Sequence, residues 1–279
     1  MVRIISIITL FYPNKEHYNN IQKIAKQSKL VFLCDNSPVS NVELFSDIDN
    51  MKYYWDGENK GLSKGFNNVL CDSRLEWNSG DYVVFFDQDT IIPPNHIQLL
   101  IEEYEKIKKR GVNIGCIGPM FSNFNSHDKV SISVKNILTS SMLCEYGNLE
   151  SVNFWNEELF LDLADWDLCW RFKNNGLKVY LTNATTIIHF LGLGEKKVGI
   201  FTLKIGRPFR EYYQTRDCLR LINKKYVPWE YKIRFLLMIL VRPLLHILFL
   251  DDKQKRLAFI IKGIMDYGKG IKGALKSIS

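Results

Sequence analysis

The chain has 279 residues with the composition of an ordinary soluble protein: 46% hydrophobic, 24% charged and a mean hydropathy of −0.12. That length can bury a large core, as one sizeable domain or as one domain with an appendage. The net charge of +7 is concentrated at one end, because residues 230–279 hold ten Lys/Arg against four Asp/Glu, and the preceding 229 residues hold 27 against 26. This asymmetry indicates an anionic surface near the C-terminus, either membrane or nucleic acid.

The cysteines and apolar stretches argue against several classes of protein. None of the six cysteines forms a Cys-x-x-Cys pair, so a zinc site is not expected. The N-terminus lacks the apolar region and cleavage site of a signal peptide, so we expect a cytoplasmic protein with reduced thiols. The most apolar stretch, 235–250, is shorter than the ~20 residues that span a bilayer. Arg242, Pro243 and His246 interrupt it, so no transmembrane helix is expected.

Alternating strand and helix patterns characterise the first half of the chain. Predicted strands cover 4–10, 30–34, 51–55 and 82–86, and predicted helices cover 16–28, 61–73 and 95–109. Strands separated by helices indicate a mainly parallel sheet with helices on its faces. Ligands of such sheets bind beyond the carboxyl ends of the strands, where Asp35 and Asp87 lie.

The second half has a more mixed pattern. Residues 115–120 and 130–143 are predicted to be extended, and 179–181 and 185–189 to form strands. A helix is predicted over 165–175, ending at Gly176, since glycine is a common helix C-terminal signal. Residues 192–208 contain several glycines and lysines without a clear period, so we expect a mobile loop. Helices are predicted from 210 to the end.

The clearest chemical signal is Asp87-Gln88-Asp89 at the end of an apolar strand. Carboxylates two residues apart on a turn can converge on one hard cation, and Mg²⁺ or Mn²⁺ prefers a few carboxylates together with phosphate oxygens. Such a cation would neutralise the charge that develops on a diphosphate leaving group. A surface turn with solvated acids is the alternative.

A second signal is three acids within an otherwise apolar segment, at Asp162, Asp165 and Asp167. Buried acids are costly unless they face a polar site or find partners. One can cap the following helix, and one can serve as a general base at the mouth of a cleft. Asp167 and Arg171 are four residues apart and can form an ion pair on the helix surface.

A histidine and a basic stretch follow. His189 ends a β-branched run, where a structural role is commoner than a ligand role. The basic residues near the expected loop form either a solvated face or a grip on a diphosphate. They are Lys196, Lys197, Lys204, Arg207, Arg210 and Arg216.

Together these features make the chain resemble glycosyltransferase family 2, and within it the bacterial rhamnosyltransferase-like group, over roughly residues 3–220. The run 5–9 is similar to the first strand of the family. Cys34-Asp35-Asn36-Ser37 is similar to its nucleoside-binding turn, in which the Asp contacts the base, and 59–67 is similar to its Asn-x-Gly segment near the donor. Asp87-Gln88-Asp89 is similar to the metal and diphosphate motif, in the form common among rhamnosyltransferases.

The resemblance extends to the second half of the chain. By register from Arg171, the family's catalytic base falls on Asp165, with Asp162 and Trp166 on the acceptor side. His189 with Gly192 resembles a His-x-x-Gly motif whose His joins the metal shell, and 210–217 is similar to the segment after a flexible loop.

Two positions depart from the pattern of the family. Ala164 stands where many relatives carry Glu immediately before the base, and Asp162 is the candidate replacement for that carboxylate. Ser140-Ser141 stands where many relatives carry Ser-Gly. These departures bear on the acceptor and leave the class of enzyme unchanged.

The resemblance implies an α/β protein of the GT-A fold, in which a Rossmann-like nucleotide half is fused to a mixed-sheet acceptor half, with a C-terminal helical appendage. We expect the GT-A domain over 1–225 and the helices over 226–279. The implied reaction is an inverting transfer without a covalent sugar–enzyme intermediate. Asp165 is the implied base, and Asp89, Asp87 and His189 are the implied ligands of Mn²⁺ or Mg²⁺. The implied donor-binding residues are Thr9, Asp35, Asn36, Asn59, Gly61, Asn67, Asp87, Gln88 and Arg216.

The Asp-Gln-Asp form favours dTDP-rhamnose as the donor, with UDP-galactofuranose, UDP-glucose and UDP-galactose as alternatives. The implied acceptor is a glycan or lipid-linked glycan of the bacterial cell surface. Basic and apolar residues at helical spacing over 231–250 and 253–278 suit a helix on the anionic inner face of the cell membrane. Packing on the body of the protein or on another subunit of a homo-oligomer is the alternative.

Other classes of protein fit less well. A nucleotidyltransferase usually has a Gly-rich basic segment near the N-terminus, where this chain has Phe11-Tyr12-Pro13-Asn14-Lys15. Single-stranded nucleic acid needs aromatic platforms, and the basic residues of the tail alternate with aliphatic ones, so we expect no nucleic acid partner. The presence of Asp87, Asp89 and Asp165 argues against an inactive scaffold.

Overall fold

The computed structural model describes residues 2–121, 130–188, 195–198, 201–204 and 206–275. The chain forms two compact units. Unit 1 comprises Met1–Trp155 with Leu168–His189, and unit 2 comprises Asn156–Asp167 with Phe190–Ser279. The predicted domain boundary near residue 225 stays a prediction.

Unit 1 is built on an eight-stranded mixed sheet with the order β3-β2-β1-β4-β7-β5-β8-β6. The strands are β1 Ile4–Leu10, β2 Leu30–Asp35, β3 Met51–Tyr54, β4 Tyr82–Asp87, β5 Ile114–Phe121, β6 Ser131–Val134, β7 Met142–Glu145 and β8 Lys178–Ile187. The four strands from β3 to β4 run parallel, and β7 runs antiparallel to both of its neighbours. The predicted α/β class with a largely parallel first half is confirmed.

The helices of this part of the chain are α1 Lys15–Ala25, α2 Gly61–Leu70, α3 His96–Lys109, α4 Tyr146–Ser151 and α5 Ala164–Asn174. The central strands β1, β2 and β4 are apolar and buried along nearly their whole length, as expected for parallel strands covered on both faces. Gly176, which follows α5, has φ +77° and confirms the predicted C-terminal signal.

Two predictions about extended segments are corrected in unit 1. Residues 130–143 are extended only over β6 and the start of β7, since a turn at Ser140 and Ser141 separates the two strands. The two strands predicted over 179–181 and 185–189 form one strand, β8, which pairs with both β5 and β6. The register between β5 and β8 shifts here, where Thr182 pairs with Pro119 and Thr186 with Met120, so the polar residues that suggested a break form an irregularity within one strand.

The described residues of unit 2 form a two-stranded antiparallel hairpin, the first turn of α5 and four further helices. The hairpin consists of β9 Glu195–Val198 and β10 Phe201–Lys204, so the loop predicted over 192–208 is wrong for these residues. Only Gly199 and Ile200 separate the two strands in sequence, and Gly in a two-residue connection is a hairpin signal that the irregular pattern of lysines concealed.

The helices of unit 2 are α6 Arg210–Ile222, α7 Trp229–Leu240, α8 Arg242–Phe249 and α9 Lys253–Gly268. The prediction of helix up to the chain end is wrong over 269–275. Gly270 and Gly273 have φ +69° and +76°, a left-handed conformation that does not continue a helix. No helix in the described part of the chain has the length and apolar character needed to cross a membrane.

Candidate active site

The carboxyl ends of three adjacent parallel strands bring the predicted donor-side residues together in unit 1. In the strand registers, Thr9 of β1 lies beside Asp87 of β4, and Leu10 lies beside Asp35 of β2. The strands end at the same edge because they run parallel and in register. Thr9, Asp35 and Asp87 therefore lie along one edge of the sheet, which is where ligands of such sheets bind.

Asp35 is held by hydrogen bonds to both of its carboxylate oxygens. Oδ1 accepts from the backbone N–H of Ser37 at 2.8 Å, and Oδ2 accepts from Nδ2 of Asn41 at 2.8 Å and from the hydroxyl of Tyr53. Burial, followed by the hydrogen bond to Asp35, raises the pKa of Tyr53 to about 12, so this hydroxyl stays protonated and donates. Neither Asn41 nor Tyr53 was singled out from the sequence.

The turn before α2 is built by Asn36, Asn59 and Gly61. Asn36 accepts from the N–H of Lys60 at 3.0 Å and donates to the carbonyl of Gly61 at 3.2 Å. The side chain of Asn59 accepts from the N–H of Gly61 at 3.0 Å. Gly61 has φ +72°, a conformation that favours glycine. These predicted donor residues therefore shape the loop that borders the end of β2.

An open cleft lies at this place in unit 1, with about 410 Å³ of empty space when the adjoining open solvent is included. Its lining is mostly polar and contains two of the predicted donor residues, Asp35 and Asn36. The lining residues are Cys34, Asp35, Asn36, Tyr54, Trp55, Asp56, Glu58, Lys60, Gly65 and Asn68. Asn67 lies outside this lining, and its amide exchanges two hydrogen bonds with the backbone of Trp155, at 2.9 and 3.0 Å.

The three residues of the Asp87-Gln88-Asp89 motif differ in their surroundings. Asp87 accepts a hydrogen bond from the hydroxyl of Ser140. The amide of Gln88 exchanges two hydrogen bonds with the backbone of Phe11, accepting at 2.8 Å and donating at 3.1 Å. Gln88 therefore fastens the loop after β1 to the end of β4. Asp89 is partly exposed.

The two carboxylates fit a hard divalent cation that completes its shell with phosphate oxygens and water. Among the residues that the structure describes, no group of three or more His, Cys, Asp or Glu is placed to hold a metal ion. His189 and Gly192, predicted as part of the metal motif, lie outside the described residues. The metal assignment of Asp87, Asp89 and His189 stays a prediction.

A buried histidine supports this edge of the sheet. Nδ1 of His96 lies 2.7 Å from Oγ1 of Thr185, and Nε2 forms a short hydrogen bond with the hydroxyl of Ser141. Burial lowers the pKa of His96 to about 4, so the ring is neutral at physiological pH. Ser141 has φ +67°, a left-handed conformation that favours glycine. In this chain the hydrogen bond to His96 holds a serine in that conformation, next to the Ser140 that binds Asp87.

The predicted acceptor-side acids lie in unit 2 and differ in the partners that hold them. Asp162 accepts from Nη2 of Arg210 at 2.7 Å and from Nε2 of Gln214 at 3.0 Å. Asp167 is buried and accepts from the hydroxyl of Tyr226 at 2.6 Å. Asp165 lies in the first turn of α5, is partly exposed and accepts from the N–H of Trp166 at 2.8 Å.

The two other predicted residues of unit 2 are engaged in packing. The ring of Trp166 meets Tyr231 edge to face at 5.4 Å, and the guanidinium of Arg234 lies 5.0 Å from the Trp166 ring centre. Arg216 is fully buried and donates to Asp217 at 2.8 Å and to the carbonyl of Gly273 at 2.8 Å. A donor contact through Arg216 would require these bonds to open, and its predicted role stays a prediction.

Residues 15–147 match the family model described as glycosyl transferase family 2. The chain is also similar to the dTDP-rhamnosyl transferase RfbF of Shigella flexneri, with 25% identity over 97% of this chain and 96% of that protein. The match to the family model covers just under half of the chain, and together with this relative it supports a glycosyltransferase of family 2. The chain is a nucleotide-sugar-dependent glycosyltransferase that is similar to a rhamnosyl transferase, as the sequence motifs predicted.

Solved structures show the same fold. S. aureus TarS 1–349 in complex with UDP-GlcNAc matches with a TM-score of 0.58 and 14% identity, over 97% of this chain and 82% of that one. GalNAc-T7 with UDP, GalNAc and Mn²⁺ matches with a TM-score of 0.57 and 10% identity, over 84% of this chain and 54% of that one. The predicted GT-A fold of the glycosyltransferase is confirmed.

Several residues that hold the predicted site residues within each unit carry no local sequence signal. Tyr53 and Asn41 hold Asp35, His96 holds Ser141, and Arg210 and Gln214 hold Asp162. Each lies at least six positions from its partner in sequence, so only the tertiary fold brings them together. A polar residue in an apolar helix face, such as His96 on α3, was the one available hint.

Proposed function

We propose that this enzyme transfers L-rhamnose from dTDP-rhamnose to a glycan or lipid-linked glycan acceptor in bacterial cell-surface polysaccharide biosynthesis. The observation that carries the proposal is the alignment of Thr9, Asp35 and Asp87 at the carboxyl edge of β1, β2 and β4, beside the polar cleft. The similarity to a dTDP-rhamnosyl transferase over nearly the whole chain supports this donor. UDP-galactofuranose and UDP-hexoses are the alternative donors.

In the proposed donor complex the nucleoside occupies the cleft and contacts Asp35. The carboxylate is already oriented by Tyr53 and Asn41, so binding costs little reorganisation. Asp87 and Asp89 would hold Mn²⁺ or Mg²⁺, which supplies charge neutralisation to the departing nucleoside diphosphate. GalNAc-T7, which shares the fold, holds UDP and Mn²⁺.

In the proposed chemical step, Asp165 removes the proton from an acceptor hydroxyl, and that oxygen attacks the anomeric carbon of the donor. The bond from that carbon to the diphosphate breaks, and the configuration inverts. Of the three acids in this segment, Asp167 is buried against Tyr226 and Asp162 is bound by two side chains. Asp165 is partly exposed and lies at the N-terminus of α5, a reasonable place for a general base.

We infer that the enzyme works in the cytoplasm and, with a lipid-linked acceptor, at the inner face of the cell membrane. A lipid-linked glycan is confined to the bilayer surface, so an enzyme that uses one gains by binding there. A glycan acceptor in solution needs no such location.

Thermal unfolding with added nucleotides tests the proposal. The full chain is heated with dTDP, dTDP-rhamnose, UDP, UDP-glucose or UDP-galactofuranose, each with and without Mn²⁺ or Mg²⁺. A ligand at 100 times its Kd adds about 2.7 kcal/mol to the free energy of unfolding, so the melting temperature rises. We expect a metal-dependent rise with dTDP and dTDP-rhamnose that is absent in Asp89→Asn and retained in Asp49→Asn, a control on an exposed acid.

A rise with UDP compounds alone would replace the donor and leave the enzyme class unchanged. The absence of any rise in a folded sample would contradict the proposed donor site and favour a scaffold role. Nucleoside triphosphates are heated with the protein in the same way, and a rise with these alone would favour a nucleotidyltransferase.

A further inference from the structure

Helix α9 is amphipathic in the reverse sense of an ordinary surface helix. Its buried face carries Arg256, Ile260, Gly263 and Asp266, so that two of the four buried residues are charged. Its exposed face is apolar, with Leu257, Ile261, Ile264 and Met265 between 43% and 52% exposed. A surface helix of a globular protein normally points its apolar stripe at the core and its charges at solvent.

Specific contacts hold α9 in this orientation within unit 2. Arg256 donates to Glu211 at 3.2 Å and to the carbonyls of Asp251 and Gly206, at 2.9 and 3.0 Å. Asp266 accepts from the hydroxyl of Tyr212 at 2.8 Å.

The backbones of α9 and α6 also approach each other closely at Gly263, where a Cβ atom would lie 2.8 Å from the carbonyl oxygen of Tyr212. Rolling the apolar face inward would bury Leu257 and Ile261 at this contact and would break the buried ion pairs. Breaking a buried pair strands a charge, so the outward direction of the apolar face is fixed by the fold.

A second exposed apolar stripe runs along α7 and α8. Its members recur at intervals of three or four residues, which places them on one side of each helix. They are Trp229, Ile233, Leu236, Leu237, Leu240, Leu244 and Leu248, all between 46% and 73% exposed. A soluble monomer rarely exposes so many large apolar side chains on neighbouring helices, so these two stripes indicate an interaction surface.

The charge of this region selects the partner. Residues 230–279 carry ten Lys/Arg and four Asp/Glu, and exposed lysines lie before and after the apolar face of α9, at Lys253, Lys255, Lys269 and Lys272. Asp266, one of the four acids, is buried. A second copy of the chain would bring an equally basic region against this one, whereas an anionic lipid surface attracts it. Apolar faces flanked by lysines suit helices that lie in the plane of a bilayer surface.

We propose that α7, α8 and α9 form a docking surface for anionic phospholipid bilayers, with the two apolar stripes entering the headgroup region and the lysines contacting lipid phosphates. Trp229 is 73% exposed at the start of α7, and tryptophan favours the interface between membrane and water. The proposal deepens the proposed function, because its use in the cell rests on a lipid-linked acceptor, and it names the surface that would bring the enzyme to that acceptor.

Vesicle sedimentation of the full chain tests the proposal. The protein is mixed with sucrose-loaded vesicles of phosphatidylcholine alone or with 30% phosphatidylglycerol and is centrifuged. We expect sedimentation with the anionic vesicles, weakened at least tenfold by 0.5 M salt and by the variants Leu240→Ser/Leu244→Ser and Ile261→Ser/Met265→Ser. The control Val39→Ser/Ile132→Ser removes exposed apolar side chains of unit 1 and should sediment as the unmodified protein does.

Absence of sedimentation, or equal sedimentation of all variants, would overturn the proposal. The proposal would also be overturned if the protein does not bind vesicles and forms a dimer in solution that Leu240→Ser/Leu244→Ser and Ile261→Ser/Met265→Ser convert to a monomer. The apolar stripes would then bind a second copy of the chain. The nucleotide-dependent rise in melting temperature is measured for every variant. A variant that loses vesicle binding and keeps that rise separates the docking surface from the donor site, so either proposal can fail alone.

Discussion

Lowering the pH from 7.5 to 5.0 should destabilise unit 1 through His96. The ring is fully buried between Ser141 and Thr185, and burial lowers its pKa from 6.5 to about 4. As the pH falls below 6.5, the unfolded chain binds a proton at this residue before the folded chain does. The contribution of the neutral ring to the free energy of unfolding is therefore complete at neutral pH and is lost progressively down to pH 4. Integration between these two values gives a loss of about 2 kcal/mol at pH 5.0.

The measurement compares the unmodified protein with His96→Gln, by urea unfolding at pH 7.5 and 5.0. Tryptophan fluorescence reports mainly on unit 1, since four of the six tryptophans, including the buried Trp155 and Trp170, lie there. Asp217 titrates in the opposite sense, because burial raises its pKa to about 6, so its contribution to stability improves as the pH falls. It is present in both proteins and cancels in the difference.

The free energy of unfolding of the unmodified protein should fall by about 2 kcal/mol more than that of His96→Gln between the two pH values. At pH 7.5 the variant should already be less stable, because its side chain cannot make both hydrogen bonds of the ring. Parallel pH dependence of the two proteins would refute the assignment of a neutral, buried His96.

Three further predictions concern the proposed chemistry and the packing of α9. Asp165→Asn should lower the rate of transfer by at least about 100-fold, the usual scale for a lost general base, and should keep the donor-induced rise in melting temperature. The control Asp49→Asn should change neither the rate nor the rise. Near-normal turnover of Asp165→Asn would rule out this residue as the base. Asp89→Ala should weaken metal-dependent nucleotide binding, measured by titration calorimetry with and without Mn²⁺, and equal affinities would remove it from the metal site. Gly263→Ala should destabilise unit 2 by about 1–3 kcal/mol in urea unfolding, because a methyl group there meets the backbone of α6. The control Gly268→Ala should not destabilise unit 2, because the added methyl group meets no atom within 4 Å. Equal effects of the two variants would contradict the close approach of α9 to α6.

Hydrogen bonds around Asp162 connect the acceptor-side segment to helices α6 and α8 within unit 2. Asp162 is bound by Arg210 and Gln214 of α6, and Arg242 of α8 also donates to Gln214. The acceptor-side segment is thereby tied to the helices that carry the exposed apolar stripes. Side chains that hold one another in this way limit the conformations of the segment before Asp165.

The first half of the fold followed from local sequence. The strands β1, β2 and β4 are mostly apolar and buried on both faces, and strands of that kind are stable only when both faces are covered. The position of Asp35 and Asp87 at the ends of such strands was therefore enough to place them at one edge of the sheet. The family, too, followed from short motifs, since these depend on residues close together in sequence.

Tertiary structure alone decided which partners hold these residues. Gln88 pairs with the backbone of Phe11, 77 positions away, and His96 pairs with Ser141, 45 positions away. A side-chain amide or imidazole can bond with almost any polar group, so its sequence neighbourhood does not specify its partner. Ser141 is the clearest case. Its backbone has a left-handed conformation that suits glycine, and its hydrogen bond with His96 of α3 holds it there.

The sequence of α9 predicted an amphipathic, basic helix but not which of its faces points outward. Hydrophobic periodicity alone would direct Leu257, Ile261 and Ile264 to the core. The structure reverses this, because Gly263 permits a close approach to α6 and because Arg256 finds its partner Glu211 there. Periodicity determines that a helix has two faces, and the partners available in the fold determine which of them is buried.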